Sequence, residues 1–171
     1  IAGIGSFHGK EERDLAGRYV CPGFIDSHLH LESTLVTPAE LVTAASRHGT
    51  TTFIVDPHES ANVSGLAGID YILDQTEDVK ANVYVMMPSC VPATAIDDNG
   101  CTLTAEDMVP YLHNSRILGL GEVMDSISVV QGEKSMHDKL ELFEGRIRDG
   151  HAPFLEEGDL QAYAMAGIAT D

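Results

Sequence analysis

Two histidines separated by a single residue, His28 and His30, follow the apolar residues Gly23, Phe24 and Ile25, which are predicted to form a buried strand. Side chains of alternate residues in a β-strand project from the same face, so both imidazoles are expected to point in one direction. Imidazole is a common ligand of divalent metal ions, and a pair beyond a buried strand suits such an ion better than a hydrophobic core. A lone His-x-His pattern is weak evidence, however, because short patterns recur by chance.

Residues of similar chemistry lie at the ends of other predicted strands. Glu122 lies in GLGEVM, an apolar and glycine setting where burying a lone carboxylate would cost free energy that a metal ion could offset. His151 lies in DGHAP, between Gly150 and Pro153, which favour a turn at a strand end. Alternatively, Glu122 could be a carboxylate of a surface loop, and His151 could be a hydrogen-bonded structural histidine. The recurrence of such residues at strand ends favours metal ligands at both positions.

Three further polar residues, Asp56, His58 and Glu59, follow the segment TTTFIV. His58 and Glu59 could bind a substrate, orient metal ligands or cap the next helix, and the sequence alone does not separate these roles. Asp56 precedes Pro57 and is interpreted as structural. His58 and Glu59 are therefore the candidates for substrate contact.

Predicted strands and helices alternate along the chain, and the candidate residues follow the strands. Alternation of this kind is typical of a parallel sheet with helices packed outside it. Strands are predicted from residue 23 to the histidine pair and over 50–55, 82–87, 116–123, 146–152 and, as a start only, 168–171; helices are predicted over 38–48, 64–76, 104–113, 133–144 and 160–166.

Two parallel architectures compete, an open doubly wound sheet and a (β/α)8 TIM-type barrel. A doubly wound nucleotide-binding sheet should carry a glycine-rich turn after its first strand, where this chain has His-x-His. In barrels, several strands contribute chemistry at their C-terminal ends. The distribution of candidate residues therefore favours the barrel, and the glycine-rich, charged residues 1–18 are interpreted as a remnant of a flanking small β domain.

Composition narrows the classes of partner. The 171 residues are 43% hydrophobic and 22% charged, as expected for one globular domain. A formal net charge of −17 argues against nucleic acid and against an anionic membrane surface. The chain shows no segment apolar enough to span a bilayer, no signal-peptide pattern and only three scattered cysteines, so a cytoplasmic location is expected.

Several segments together resemble a known family. PGFIDSHLHLES, HGTTTFIVDPHESANVSGL, NVYVMMPSCVPAT, RILGLGEVM and DGHAP closely resemble the bacterial adenine deaminases of the amidohydrolase superfamily. The His-x-His and HGTTT motifs are widespread in that superfamily, whereas the other motifs are more specific, and the resemblance runs from about Asp14 to Asp171. It implies a (β/α)8 metal-dependent hydrolase barrel, of which residues 19–171 would be the first five or so β/α units.

The resemblance also implies a metal site. His28 and His30 would be strand-one ligands, Glu122 a strand-four carboxylate that bridges two divalent ions, and His151 a strand-five ligand. Manganese or ferrous iron is expected, and zinc is compatible with the same nitrogen and oxygen ligands. A strand-six histidine and a strand-eight aspartate, the expected proton shuttle, are absent from these 171 residues.

The implied reaction is hydrolytic deamination of adenine to hypoxanthine and ammonia. The implied partner is a small purine base, contacted by His58 or Glu59, and the full-length enzyme is expected to be a homo-oligomer. One alternative is another amidohydrolase, either a cyclic-amide hydrolase, which usually has lysine where Glu122 lies, or an amino-sugar deacetylase. The other is a catalytically incomplete fragment, and the chain alone is expected to be inactive.

Overall fold

The fold is a five-stranded parallel sheet with helices, described by a computed structural model over residues 3–94 and 96–169. The strands are β1 Phe24–Leu29, β2 Thr50–Val55, β3 Asn82–Met87, β4 Ile117–Val123 and β5 Ile147–Gly150. They pair in sequence order, β1-β2-β3-β4-β5, and every neighbouring pair is parallel. This order continues in one direction without the reversal of a doubly wound sheet, so the α/β prediction of a partial TIM-type barrel is confirmed.

Seven α-helices connect or follow the strands within the described residues. Thr37 caps the first of them, because its hydroxyl accepts a hydrogen bond from the backbone N–H of Glu40 at 3.4 Å. The helices are α1 Pro38–Ser46, α2 His58–Ser64, α3 Leu66–Gln75, α4 Ala105–Met108, α5 Ser126–Gln131, α6 Lys134–Leu142 and α7 Glu157–Met165, and 3-10 turns occupy Glu32–Thr34 and Val109–His113.

Two helices were not predicted, and one predicted helix is divided. Helices α2 and α5 each bury one residue, Ala61 and Val129, which is too little for a periodic apolar pattern. The predicted helix over 104–113 is α4 followed by a 3-10 turn that contains Pro110. Proline lacks the backbone N–H that would continue an α-helix.

The main hydrophobic core lies between the sheet and the helices. Alternate strand residues, such as Phe53 and Val55 on β2, are fully buried in it together with Ile69 of α3. Ile54, which lies between these two residues of β2, and Met86 of β3 instead line a cavity at the other face of the sheet. This alternation gives the strands a helix-covered face and a face directed toward the inside of the barrel.

The prediction that the first strand is buried at its start is wrong. Phe24 and Ile25 are 62% and 63% exposed. Strand β1 is an edge of the sheet and pairs only with β2 among the described residues. An apolar sequence favours a strand, but its burial depends on the neighbours that cover it.

The two ends of the chain differ from the barrel elements. Over residues 3–18, all of which the structure describes, there is neither helix nor strand, and the flanking β domain stays a prediction. Ile168 and Ala169 form no strand, although the Ala169 N–H donates to the Arg148 carbonyl at 3.2 Å, beside β5. Residues 170–171 of the predicted sixth strand lie outside the described residues.

No helix in the described part of the chain is long and apolar enough to cross a membrane.

Candidate metal centre

The histidine pair lies at the C-terminal end of β1, with both rings on the same side. The Nε2 atoms of His28 and His30 are 3.2 Å apart. The His30 Nδ1–H donates to the Asp56 carbonyl at 2.8 Å, and His28 Nδ1 lies 3.3 Å from Asp149 Oδ2. Because a carbonyl oxygen can only accept, the proton of neutral His30 is on Nδ1, which leaves Nε2 free to bind a metal ion.

The carboxylate of Glu122, near the end of β4, lies opposite these two Nε2 atoms. Glu122 is only 7% exposed. Its Oε1 is 3.5 Å from His28 Nε2, and its Oε2 is 3.4 Å from His30 Nε2. The apolar setting of Glu122 in the sequence thus corresponds to a buried carboxylate. Each of its two oxygens lies close to an imidazole nitrogen.

His58 is the first residue of α2 and brings a third imidazole to Glu122. Its Nδ1 lies 3.4 Å from Glu122 Oε2 and 3.7 Å from Asp56 Oδ1. Burial alone would lower the pKa of His58, but the carboxylates of Asp56, Glu122 and Glu32 raise it above the ordinary value of a histidine. The environment of His58 is therefore strongly anionic.

His151 follows β5 and approaches the carboxylate from the other side. Its Nδ1 is 3.8 Å from Glu122 Oε1, and half of its side chain is exposed. His28, Glu122 and His151 line a cavity of about 630 Å³ on the inner face of the sheet. The structure thus brings together the four predicted ligands, His28, His30, Glu122 and His151.

The donor atoms around Glu122 suit divalent cations. Two groups have ligand atoms within 4.8 Å of one another, His28–His30–Glu122 and Asp56–His58–Glu122, and they share Glu122. Both carboxylate oxygens of Asp56 and Nδ1 of His58 are buried and lack a hydrogen-bond partner among the described residues. Buried polar atoms without a hydrogen-bond partner are costly unless a cation or a proton satisfies them. Nitrogen and oxygen donors without thiolate fit manganese, iron or zinc.

Comparison with known proteins identifies the family. The sequence profile of the Amidohydrolase family matches residues 19–171. The chain belongs to the amidohydrolase family. This agrees with the partial barrel and with a metal-dependent hydrolase that has its ligands at strand ends.

The amidohydrolase chain is also similar to individual proteins over its whole length. It is 61% identical to the adenine deaminase of Desulfitobacterium hafniense, 47% identical to adenine deaminase 2 of Carboxydothermus hydrogenoformans and 48% identical to the adenine deaminase of Methanoculleus marisnigri. Each match covers 100% of this chain but only 30%, 30% and 33% of the respective relative. The predicted resemblance is confirmed, and the chain spans about a third of the length of these curated relatives.

Asp56 is the residue of this amidohydrolase site that sequence reasoning missed. The proline after it suggested a structural turn, yet Asp56 is 3% exposed and belongs to the second group of candidate ligands. Gly121 permits this position, because a Cβ atom at residue 121 would lie 2.2 Å from Asp56 Oδ2. The sequence did contain one signal for this role. Asp56 comes directly after β2, and the other candidates also lie at or just beyond the C-terminal ends of their strands.

Glu59 is the predicted site residue that the structure does not bring into the Glu122 cluster. Its Oε2 accepts a hydrogen bond from the Ser33 hydroxyl at 2.7 Å, and its backbone N–H donates to Glu32 at 3.0 Å. Its side chain lines another cavity, of about 440 Å³, together with Glu32 and Tyr71. Only His58 of the two predicted substrate contacts therefore faces the candidate metal ligands.

Proposed function

We propose that this chain is part of an adenine deaminase, which hydrolyses adenine to hypoxanthine and ammonia. The observation that carries the proposal is the convergence of strand-end histidines on the buried carboxylate of Glu122. The similarity to proteins named adenine deaminase, over the whole chain, supports the choice of substrate. Water oxygen would bond to C6 of the purine, and the C6 amino group would leave as ammonia.

His28, His30, Glu122 and His151 would hold two divalent ions, with Glu122 between them. When bound, such ions supply a nucleophile from water at neutral pH and stabilise negative charge on the reacting centre. The two oxygens of Glu122 face different imidazoles, Oε1 toward His28 and His151 and Oε2 toward His30. Manganese or ferrous iron is the proposed metal, and zinc would fit the same donors.

The residues of this chain would orient the ligands and receive the base. Asp56 fixes His30 through its backbone carbonyl, and Asp149 contacts the outer nitrogen of His28. The cavity of about 630 Å³ beside His28, Glu122 and His151, which Ile54 and Met86 also line, would receive the base. His58 and Glu59 as purine contacts, a homo-oligomeric full-length enzyme and a cytoplasmic location stay predictions.

The proposal is tested in a chimera, here called the deaminase chimera. This chain replaces the matching residues of the Desulfitobacterium hafniense adenine deaminase, to which it is 61% identical. Ammonia release from adenine is measured after manganese loading, beside the unaltered relative and the 171-residue chain alone. We expect activity within about tenfold of the relative for the chimera, a difference of about 1.4 kcal/mol in activation free energy, and none for the chain alone.

Alternative substrates distinguish adenine deaminase activity from the other amidohydrolase functions. The same preparation is offered cyclic amides and N-acetylated amino sugars in place of adenine. Turnover of adenine alone supports the proposal. A folded, manganese-loaded chimera that turns over another substrate but not adenine would overturn it.

A further inference from the structure

Two side-chain hydroxyls hold the end of β4, where Glu122 lies. The Ser89 hydroxyl donates to the Glu122 carbonyl at 2.6 Å, and the Tyr163 hydroxyl donates to the Val123 carbonyl at 2.5 Å. Ser89 is 0% exposed and Tyr163 is 3% exposed. Water therefore does not compete for either bond, and both hydroxyls act from inside the packed structure.

Regular pairing of β4 with its neighbouring strands is interrupted near Glu122 and Val123. The two hydroxyls therefore supply hydrogen bonds that the sheet does not. The last register pair between β3 and β4 is Met87 with Leu120. Between β4 and β5 the register shifts after Leu120, and pairing resumes only at Val123, which is opposite Gly150. Backbone carbonyls that leave a regular ladder need other donors when they are buried. Ser89 and Tyr163 supply these donors at consecutive residues of β4.

Tyr163 also reaches a second candidate ligand. The backbone N–H of His151 donates to the Tyr163 hydroxyl oxygen at 3.1 Å. The same hydroxyl thus accepts from His151 and donates to Val123, the residue after Glu122. One side chain of α7 therefore connects the backbones that carry the carboxylate and the strand-five histidine.

Ser89 is connected in turn to the outer helices. Lys139 of α6 is 7% exposed, and its Nζ donates to the Ser89 carbonyl at 2.6 Å. The Ser89 hydroxyl then donates to Glu122 on the sheet. This chain of contacts links α6 to the position of the carboxylate.

We propose that Tyr163 and Ser89 are positioning residues of the metal centre, whose hydroxyls fix the Glu122 and His151 backbones relative to one another. The proposal rests on the metal site of the proposed function. Neither side chain needs to touch a metal ion or a substrate. Groups that orient metal ligands typically change metal affinity or activity by about 10–100-fold when removed.

Tyr163→Phe in the deaminase chimera removes the hydroxyl and keeps the buried ring. Its control is Tyr111→Phe, because the Tyr111 hydroxyl also donates one hydrogen bond, to Asp70 at 2.7 Å, but on the outer helical layer. Manganese affinity is measured by titration, and kcat and KM for adenine are measured separately. We expect the Kd of manganese to rise about tenfold or more and kcat to fall with little change in KM for Tyr163→Phe. Tyr111→Phe should alter none of these values.

Ser89→Ala gives an independent test of the other hydroxyl and is expected to weaken manganese binding in the same way. Wild-type manganese affinity in folded Tyr163→Phe and Ser89→Ala would overturn the proposal, and so would an equal loss in Tyr111→Phe. If Tyr163→Phe fails to fold by circular dichroism, unchanged affinity in Ser89→Ala is sufficient to overturn it. Manganese binding without adenine turnover would refute the substrate assignment alone, because the titration does not require the reaction.

Discussion

At the scale of single residues, the site is built around one carboxylate. Glu122 has imidazoles on both oxygens, and the orientation of at least one imidazole is fixed through its outer nitrogen. The sequence could predict His28, His30, Glu122 and His151 because they lie at the C-terminal ends of strands of recognisable apolar character. It could not predict Asp56, since its approach to Glu122 depends on how the ends of β2 and β4 are arranged on either side of β3 and on the small residue Gly121.

Replacing Glu122 tests its proposed bridging role. Glu122→Gln keeps the shape of the side chain but removes the charge that would hold two cations together. In the deaminase chimera we expect manganese affinity and adenine turnover to fall by more than about a hundredfold. The control is Glu144→Gln, an exposed carboxylate outside the site, which should leave both values unchanged. Retention of wild-type manganese binding by Glu122→Gln would contradict the bridging assignment.

Lys139 gives a pH-dependent prediction at the same scale. Burial lowers the pKa of this amine below its ordinary value of about 10.4, although nearby anionic groups oppose the change. Between the lowered pKa and about 10.4 Lys139 binds more protons in the unfolded chain than in the folded chain, so its contribution makes stability rise with pH, whereas the pKa of the buried Cys90 thiol is raised by burial and its contribution has the opposite sign. The rise is measured as the midpoint of urea unfolding of the metal-free deaminase chimera.

The matched variants are Lys139→Met and Lys80→Met. Lys139→Met should remove the contribution of the buried amine to the pH dependence of the unfolding midpoint, and Lys80→Met, at an exposed position, controls for the exchange of lysine for methionine. An identical pH dependence in the parent and in Lys139→Met would show that the buried amine does not titrate as expected.

At the scale of secondary-structure elements, strands were predicted better than short helices. Strands β2 and β3 have the predicted bounds, because their β-branched and apolar residues are buried against helices. Helices α2 and α5 are defined by local turns and by tertiary contacts, and their sequences have no apolar stripe. Phe24 on β1 has an apolar sequence context but is exposed. Its burial would require a neighbouring element that the sequence of the strand does not specify.

Replacing Gly121 tests how closely β4 must approach Asp56, the residue that follows β2. Gly121→Ala would place a Cβ atom 2.2 Å from Asp56 Oδ2, so the strand or the carboxylate must move. We expect a loss of about 1–3 kcal/mol in stability, together with weaker manganese binding. Thermal unfolding and manganese titration of the deaminase chimera measure the two effects.

Gly158→Ala is the matched control within α7. Apart from its chain neighbours and the backbone of α7, no atom in the described part of the chain lies within 4 Å of a Cβ built at Gly158, and alanine is favoured over glycine in a helix by about 0.5–1 kcal/mol. This variant should be equally stable or more stable and should bind manganese normally. Equal behaviour of the two variants would show that the Gly121 position does not constrain the site.

At the scale of the whole molecule, the five parallel strands place residues that are far apart in sequence along one edge. His28 and Asp149 are 121 residues apart and meet at 3.3 Å. Such a meeting follows from the common direction of parallel strands, whose C-terminal ends share one edge. The alternation of strands and helices therefore predicted where the site would be, whereas the contacts that orient its ligands required the three-dimensional structure.

The most direct test of a dinuclear centre at Glu122 is the electron paramagnetic resonance spectrum of the deaminase chimera loaded with manganese. Two ions bridged by one carboxylate lie close enough to couple magnetically. We expect an exchange-coupled spectrum with narrower hyperfine spacing than that of an isolated ion, and its loss in Glu122→Gln. The spectrum of a single isolated ion, or a folded chimera that binds no manganese, would contradict the assignment.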